Sequence, residues 1–185
     1  MTRNFIEAVL YQVATIRSTS KPSTAIRNTS RNAFDAPLMG DIAIADAHIL
    51  RIESLPVVDR GNGILSIPLV TKALGSKHIT TGITRFPVGA EVPMHSHNCD
   101  EQVTILEGEA DADIDGQRHR RLRAHDTTLV PANQPHRFVN VGTTPLAILW
   151  IYTATEVTRT FAATGATVEH LSEYDQASTP PSKGQ

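Results

Sequence analysis

Three histidines and a glutamate carry the chemistry that can be read from this chain. His95 and His97 stand one residue apart in the run Gly89-Ala-Glu-Val-Pro-Met-His95-Ser-His97-Asn-Cys-Asp-Glu101. On a strand, residues i and i+2 point to one side, so both imidazoles face the same way. Glu101 lies four residues beyond His97, so a short loop or turn must return it to that side. A second run, Pro131-Ala-Asn133-Gln-Pro135-His136-Arg-Phe-Val-Asn140, supplies another histidine after a turn-rich loop. Imidazole and carboxylate are borderline ligands suited to a divalent first-row ion: Fe, Mn, Co, Ni, Cu or Zn. Four such ligands on a six-coordinate ion leave two positions for water, dioxygen or a chelating substrate. A closed structural zinc site would favour cysteine-rich tetrahedral ligation, which the single Cys99 cannot provide. Cys99 reads as a small packed side chain.

The surrounding texture is all-β. From about Asp41 onward, apolar residues come in short runs bounded by Gly, Pro, Asn and Asp. The predicted strands are Ile42–Ala45, His48–Ile52, Ile64–Val70, His78–Phe86, Gln102–Leu106, Ala110–Asp115, Arg118–Arg123, Thr127–Val130, His136–Val141 and Leu146–Thr153. Many short strands with no long helix between them argue a sandwich or barrel. No internal repeat is present, so a single barrel over residues 41–155 is expected. Asp115-Gly116 is a type I′ turn signal, which sets Asp113 opposite Arg118 and Asp111 opposite Arg120. Opposite charges paired across a hairpin account for the basic run Arg118–Arg123 without nucleic acid.

Outside the barrel the pattern weakens. Residues 1–40 read as an N-terminal helix and linker, with Phe5, Val9, Val13 and Ile16 near one helical face. Residues 1–33 also carry the bias of an organellar transit segment: Arg3, Arg17, Lys21, Arg27 and Arg31 against the single acid Glu7. Residues 156–185 read as a C-terminal tail, in which Val168–Tyr174 is a short helix or an edge strand. The 40% hydrophobic and 19% charged composition supplies one core, and a net charge of -2 gives no sign of a nucleic-acid or membrane partner. A lone cysteine fits a reducing, cytoplasmic location. Surplus strand signal over residues 41–70 leaves open β edges, from which a homodimer is expected.

The two histidine runs resemble the paired motifs of the cupin superfamily. The first family motif is Gly, five residues, His-x-His, three or four residues, Glu, six residues, Gly. Gly89, His95, His97, Glu101 and Gly108 meet every position. The second is Gly, five residues, Pro-x-Gly, two residues, His, three residues, Asn. Pro131, His136 and Asn140 match, while His125 and Asn133 stand where the family has glycine. The resemblance spans about residues 64–153. It implies a single jelly-roll barrel with the metal inside one end, held by His95, His97, Glu101 and His136. Glu101 can serve as ligand or as a base beside the ion, and ligation is the expectation. His125 at a glycine position implies a less strained turn or an added polar group near the barrel.

Residues sharing a face with the ligands are the expected pocket wall. These are Val103 and Ile105 on one strand, Phe138 and Asn140 on another, either Trp150 with Tyr152 or Leu149 with Ile151 on the last, and Arg85 if it points inward. The resemblance implies a metal-dependent enzyme acting on a small oxygen-chelating molecule. Fe(II) with a dioxygenase reaction is the first expectation. A non-redox isomerase, decarboxylase or lyase is the second, and would be favoured by a built-in acid or base such as Glu101, Tyr152 or His125. A non-catalytic binding cupin is the third.

Overall fold

The structure, a computed structural model, describes residues 47–177. The expected helix and linker over residues 1–40, the transit-segment reading of residues 1–33 and the strand at Ile42–Ala45 lie outside the described residues.

Among the described residues, twelve strands form two six-stranded antiparallel sheets. They are β1 Val58–Asp59, β2 Leu65–Pro68, β3 Thr80–Phe86, β4 His95–His97, β5 Glu101–Glu107, β6 Glu109–Ile114, β7 Gln117–Arg123, β8 Thr127–Val130, β9 His136–Asn140, β10 Leu146–Tyr152, β11 Thr158–Phe161 and β12 Thr167–Glu169. One sheet runs β1-β2-β3-β10-β5-β8 and the other β12-β11-β4-β9-β6-β7. This is the jelly-roll barrel expected. Burial alternates strictly along β5 and β9, so Glu101, Val103 and Ile105 point inward from one sheet, and His136, Phe138 and Asn140 from the other. On β10 the inward face is Ile148, Trp150 and Tyr152. Between the sheets Val103, Ile105, Phe138, Ile148, Trp150 and Tyr152 join Phe86, Ala110, Ala112 and Leu146 in one apolar core.

The hairpin β6–β7 turns at Asp115 (φ 49°) and Gly116 (φ 76°), the positive-φ pair a type I′ turn requires. Asp113 faces Arg118 as expected. Asp111 also meets Arg120, its Oδ2 3.8 Å from Nη1, although the ladder shifts between Ala110 and Ala112 so that Asp111 opposes both Arg120 and Arg121. Arg121 takes φ 54° at the irregularity and donates its backbone N–H to Asp111.

Three expectations are corrected. His48–Ile52 is not a strand: residues 47–51 carry no regular structure and Ile52–Ser54 form a 3-10 turn. The segment 156–185 is not merely a tail, since β11 and β12 lie in it and β11 pairs with the ligand strand β4. The surplus strand signal before the barrel is consumed within it, as β1 pairs β2 and β2 pairs β3.

Candidate metal centre

The site is built where one end of each sheet faces the other. β4 places His95 opposite His136 on β9, and opposed residues share a face. The chain then crosses between sheets over Asn98–Asp100. Asn98 holds this crossing to β11 by accepting from the Thr158 N–H at 2.8 Å and donating to the Glu156 carbonyl at 3.0 Å. Asp100 accepts from the Ala132 N–H at 2.9 Å, tying the crossing to the loop before His136. Glu101 therefore enters from the second sheet, directly across from Tyr152.

The three imidazoles are oriented in the same way. Nδ1 of His95 lies 2.6 Å from the Pro93 carbonyl, that of His97 2.9 Å from Thr158, and that of His136 2.9 Å from Gln134. A carbonyl only accepts, so each Nδ1 carries the proton and each Nε2 offers its lone pair. The ligand atoms of the three lie within 4.8 Å of one another and all three residues are buried. Burial, and after it the charge of Arg159, holds His95 well below the usual histidine value. Burial lowers His97 to about 4. Both are therefore neutral near pH 7, the form that binds a metal.

Glu101 stands beside the three histidines. Burial would raise its pKa, but His136, His97 and Tyr152 beside it outweigh that and hold the carboxyl at about 2. Its Oε2 stands 2.7 Å from His136 Nε2 and 3.9 Å from His97 Nε2. Neither Oε2 nor His136 Nε2 finds a hydrogen-bond partner of good geometry, although both are buried. Two orphaned donors this close are what adjacent ligands of one ion look like, since donors about 2.1 Å from an ion at a right angle stand about 3 Å apart. The residues present fit a divalent ion.

Of the other expected site residues, Tyr152 is brought into the site. Its hydroxyl lies 3.1 Å from His97 Nε2, and burial raises its pKa well above the usual phenol value. Trp150 lines the inner cavity with it and donates Nε1–H to Thr84 at 2.9 Å. Val103, Ile105 and Phe138 are inward but serve the core rather than the cavity wall. Asn140 is structural: its amide donates to the carbonyls of Phe86, Pro87 and Thr144, and its oxygen accepts from Gly142. Arg85 is not in the pocket; it is exposed and 3.6 Å from Glu107.

His125 is also not in the site. Its side chain is exposed in the turn between β7 and β8. The turn is not relaxed either. His125 takes φ 79° and Asn133 takes φ 63°, so both non-glycine residues adopt the left-handed backbone that glycine accepts without strain.

Three residues escaped sequence reasoning: Arg60, Arg159 and His170, which all line the inner cavity. Val157, Arg159 and Phe161 alternate inward along β11, so the apolar flanks were the available signal for Arg159. His170 packs edge-on against Trp150, Tyr152 and His97. It also lines a surface groove of about 570 Å³ with Lys72 and Glu156, and so stands between that groove and the cavity.

Comparison with known proteins agrees with this architecture. Residues 82–152 match the profile of the Cupin domain family. An uncharacterized protein of Methanocaldococcus jannaschii is 34% identical over 64 residues, 34% of this chain and 50% of that protein, so the match spans half the length of that curated relative. A cupin-superfamily sugar phosphate isomerase from Silicibacter pomeroyi aligns with TM-score 0.52 at 21% identity, over 75% of this chain and 99% of that one. The polyketide cyclase RemF from Streptomyces resistomycificus aligns with TM-score 0.54 at 14% identity, over 70% and 90%. Among the described residues no helix is long and apolar enough to cross a membrane. Both histidine motifs converge at one end of a jelly-roll barrel, and residues 82–152, the stretch that carries them, match the Cupin domain family.

Proposed function

We propose that this chain is a metal-dependent enzyme acting on a small molecule that chelates the ion through oxygen atoms. The observation that carries the reading is the convergence of three buried imidazoles, each with Nδ1 turned to a backbone carbonyl, on the orphaned oxygen of Glu101. His95, His97 and His136 would hold the ion through Nε2, and Glu101 through Oε2. A divalent ion there supplies Lewis acidity toward a carbonyl oxygen and, if redox-active, electrons toward dioxygen.

The protein's own groups favour the non-redox form of this chemistry. Tyr152 keeps its proton near pH 7, because burial raises its pKa, and its hydroxyl reaches the ligand cluster. It can donate to a substrate oxygen on which negative charge develops. Glu101 stays ionised and buried. Trp150 and Phe86 supply apolar surface to the cavity wall. An isomerase, decarboxylase or lyase reaction uses these parts directly. The barrel aligns with a sugar phosphate isomerase and a polyketide cyclase, which supports the fold such chemistry uses and not the substrate. A dioxygenase reaction at Fe(II) is the second reading, supported by a donor set of three imidazoles and one carboxylate that leaves open positions.

The deciding experiment is elemental analysis by mass spectrometry of purified wild type and His97→Ala, followed by turnover assays with and without dioxygen. About one ion per chain, lost in the variant, is expected. Turnover that proceeds without dioxygen supports the non-redox form, and strict dependence on it supports the dioxygenase. No metal in the wild type after reconstitution removes the reading. We carry the homodimer as a proposal resting on the open edges at β1, β8, β12 and β7; light scattering at the 20.1 kDa of one chain removes it.

A further inference from the structure

Two arginines are buried beside the ligand cluster, and they share one carboxylate. Arg159 faces His97 directly across the β4–β11 ladder, so both side chains enter the barrel on one face. The Arg159 side chain is only 5% exposed, and its Nη1 lies 2.8 Å from Asp175 Oδ1. Arg60 reaches the same oxygen with Nη2 at 2.7 Å, likewise without hydrogen-bond geometry, but donates from Nε to the Asp175 carbonyl at 2.6 Å. Its Nη1 donates to Ser66 at 3.3 Å and its own carbonyl accepts from Ala177 at 2.6 Å. Arg60 is thus occupied, clamping the segment that follows β12 to the barrel.

Arg159 is not occupied. Its Nε is buried without a hydrogen-bond partner, and its Nη1 meets Asp175 without hydrogen-bond geometry. It lines a cavity of about 20 Å³ together with His95, Glu101 and Tyr152. A buried charge is costly unless paired and hydrogen-bonded. Asp175 is the carboxylate both guanidiniums touch, Glu101 faces the histidines instead, and the unpartnered Nε–H belongs to Arg159. A guanidinium edge matches the two oxygens of a carboxylate.

We propose that Arg159 is the carboxylate anchor of this site, and that the substrate is a small organic acid held with its carboxylate on Arg159 and a neighbouring oxygen toward the three histidines. This names the substrate class for the metal-dependent reading above and rests on it. The substrate carboxylate is then the hydrogen-bond partner that Arg159 Nε lacks.

Calorimetric titration of the metal-reconstituted protein tests this with two probes: pyruvate, and butane-2,3-dione, which offers the same pair of adjacent oxygens without the charge. Pyruvate is expected to bind at least about 10-fold tighter, and Arg159→Gln to weaken pyruvate about 10- to 100-fold while leaving the dione unchanged. Arg159→Gln leaves Arg60 and Asp175 as a balanced pair, so the fold is expected to survive, which circular dichroism checks. Arg159→Lys keeps the charge and is expected to retain more pyruvate affinity than the glutamine variant. Equal wild-type affinity for the two probes, no pyruvate binding at millimolar concentration, or pyruvate affinity indifferent to both substitutions overturns the anchor. If Arg159→Gln does not fold, the wild-type comparison and Arg159→Lys decide. Metal content measured on every sample keeps the two readings apart: a reconstituted wild type without metal sinks the metal centre, while the dependence of pyruvate binding on Arg159 still reads the anchor.

Discussion

The Tyr152 hydroxyl stands 3.1 Å from His97 Nε2, the same nitrogen that the Thr158 carbonyl leaves free by engaging Nδ1. A phenol at the ligand atom of a metal site is either a packing group with a convenient partner or an acid aimed at the substrate. Tyr152→Phe separates these. The ring and its packing against Trp150 are kept, so metal content is expected to be unchanged. Turnover is expected to fall about 100-fold or more, the usual range for a lost general acid. Unchanged turnover at full metal content would assign Tyr152 to packing alone.

Metal binding should be visible in stability. The ligand set is assembled only in the folded chain, so an ion at about 100 times its Kd adds about 2.7 kcal/mol. For a domain of this size that raises the melting midpoint by roughly 5–10 °C. A chelator should reverse the rise and His97→Ala should abolish it. A midpoint indifferent to added Fe, Mn, Ni, Co or Zn would contradict the site.

His125 carries strain without contributing to the site. It holds φ 79° at a position where a side chain crowds the backbone, and its imidazole is exposed. Replacing it with glycine is expected to stabilise the protein by about 0.5–1 kcal/mol, a rise of roughly 2–4 °C. Metal content and turnover should not change. A loss of turnover in His125→Gly would return the residue to the list of catalytic groups.

What could be read from sequence follows the range of the forces involved. His95, His97 and His136 were legible because strand alternation fixes which neighbours share a face, and because the turn residues around them mark where strands begin. The β6–β7 turn was legible because Asp115-Gly116 states its own backbone geometry. Which face of β10 points inward was not, since Leu149 and Ile151 are as apolar as Trp150 and Tyr152, and only pairing with β5 decides it. Arg159 was hidden for a related reason. β11 is short, its polar residues suggest a solvated segment, and its inward position depends on pairing with a strand about sixty residues earlier. Asn140 misled in the opposite direction: it shares the ligand face, yet every hydrogen bond of its amide goes to backbone, at the end of β3 and in the loops beside it.

Gly82 is the seat of the sole tryptophan. A Cβ there would fall 2.1 Å from Trp150 Cζ2 and 2.7 Å from the Ile67 carbonyl. Backbone cannot yield easily, so the indole must move. Gly82→Ala is expected to cost about 3 kcal/mol through overpacking. Because Trp150 is the only tryptophan in the chain, its fluorescence reports the shift directly. The emission maximum should move to longer wavelength as the ring leaves its buried place beside Thr84. An unshifted spectrum with unchanged stability would show that the sheet yields instead.

Asp113 links the hairpin to the strand that carries His136. It accepts from Arg118 Nε at 3.0 Å and from Arg137 Nε at 2.8 Å, and those two hydrogen bonds, that of Arg118 first, lower its pKa. A carboxyl whose folded pKa lies below its unfolded value of about 3.9 contributes stability that is complete above the unfolded value. That contribution is lost as pH falls through the folded value. Asp113→Asn should therefore melt a few degrees below the wild type near pH 7. The gap should narrow below about pH 4 and close at lower pH, where the wild-type carboxyl is also neutral. A gap independent of pH would mean that the variant fails through geometry at the amide and not through lost charge.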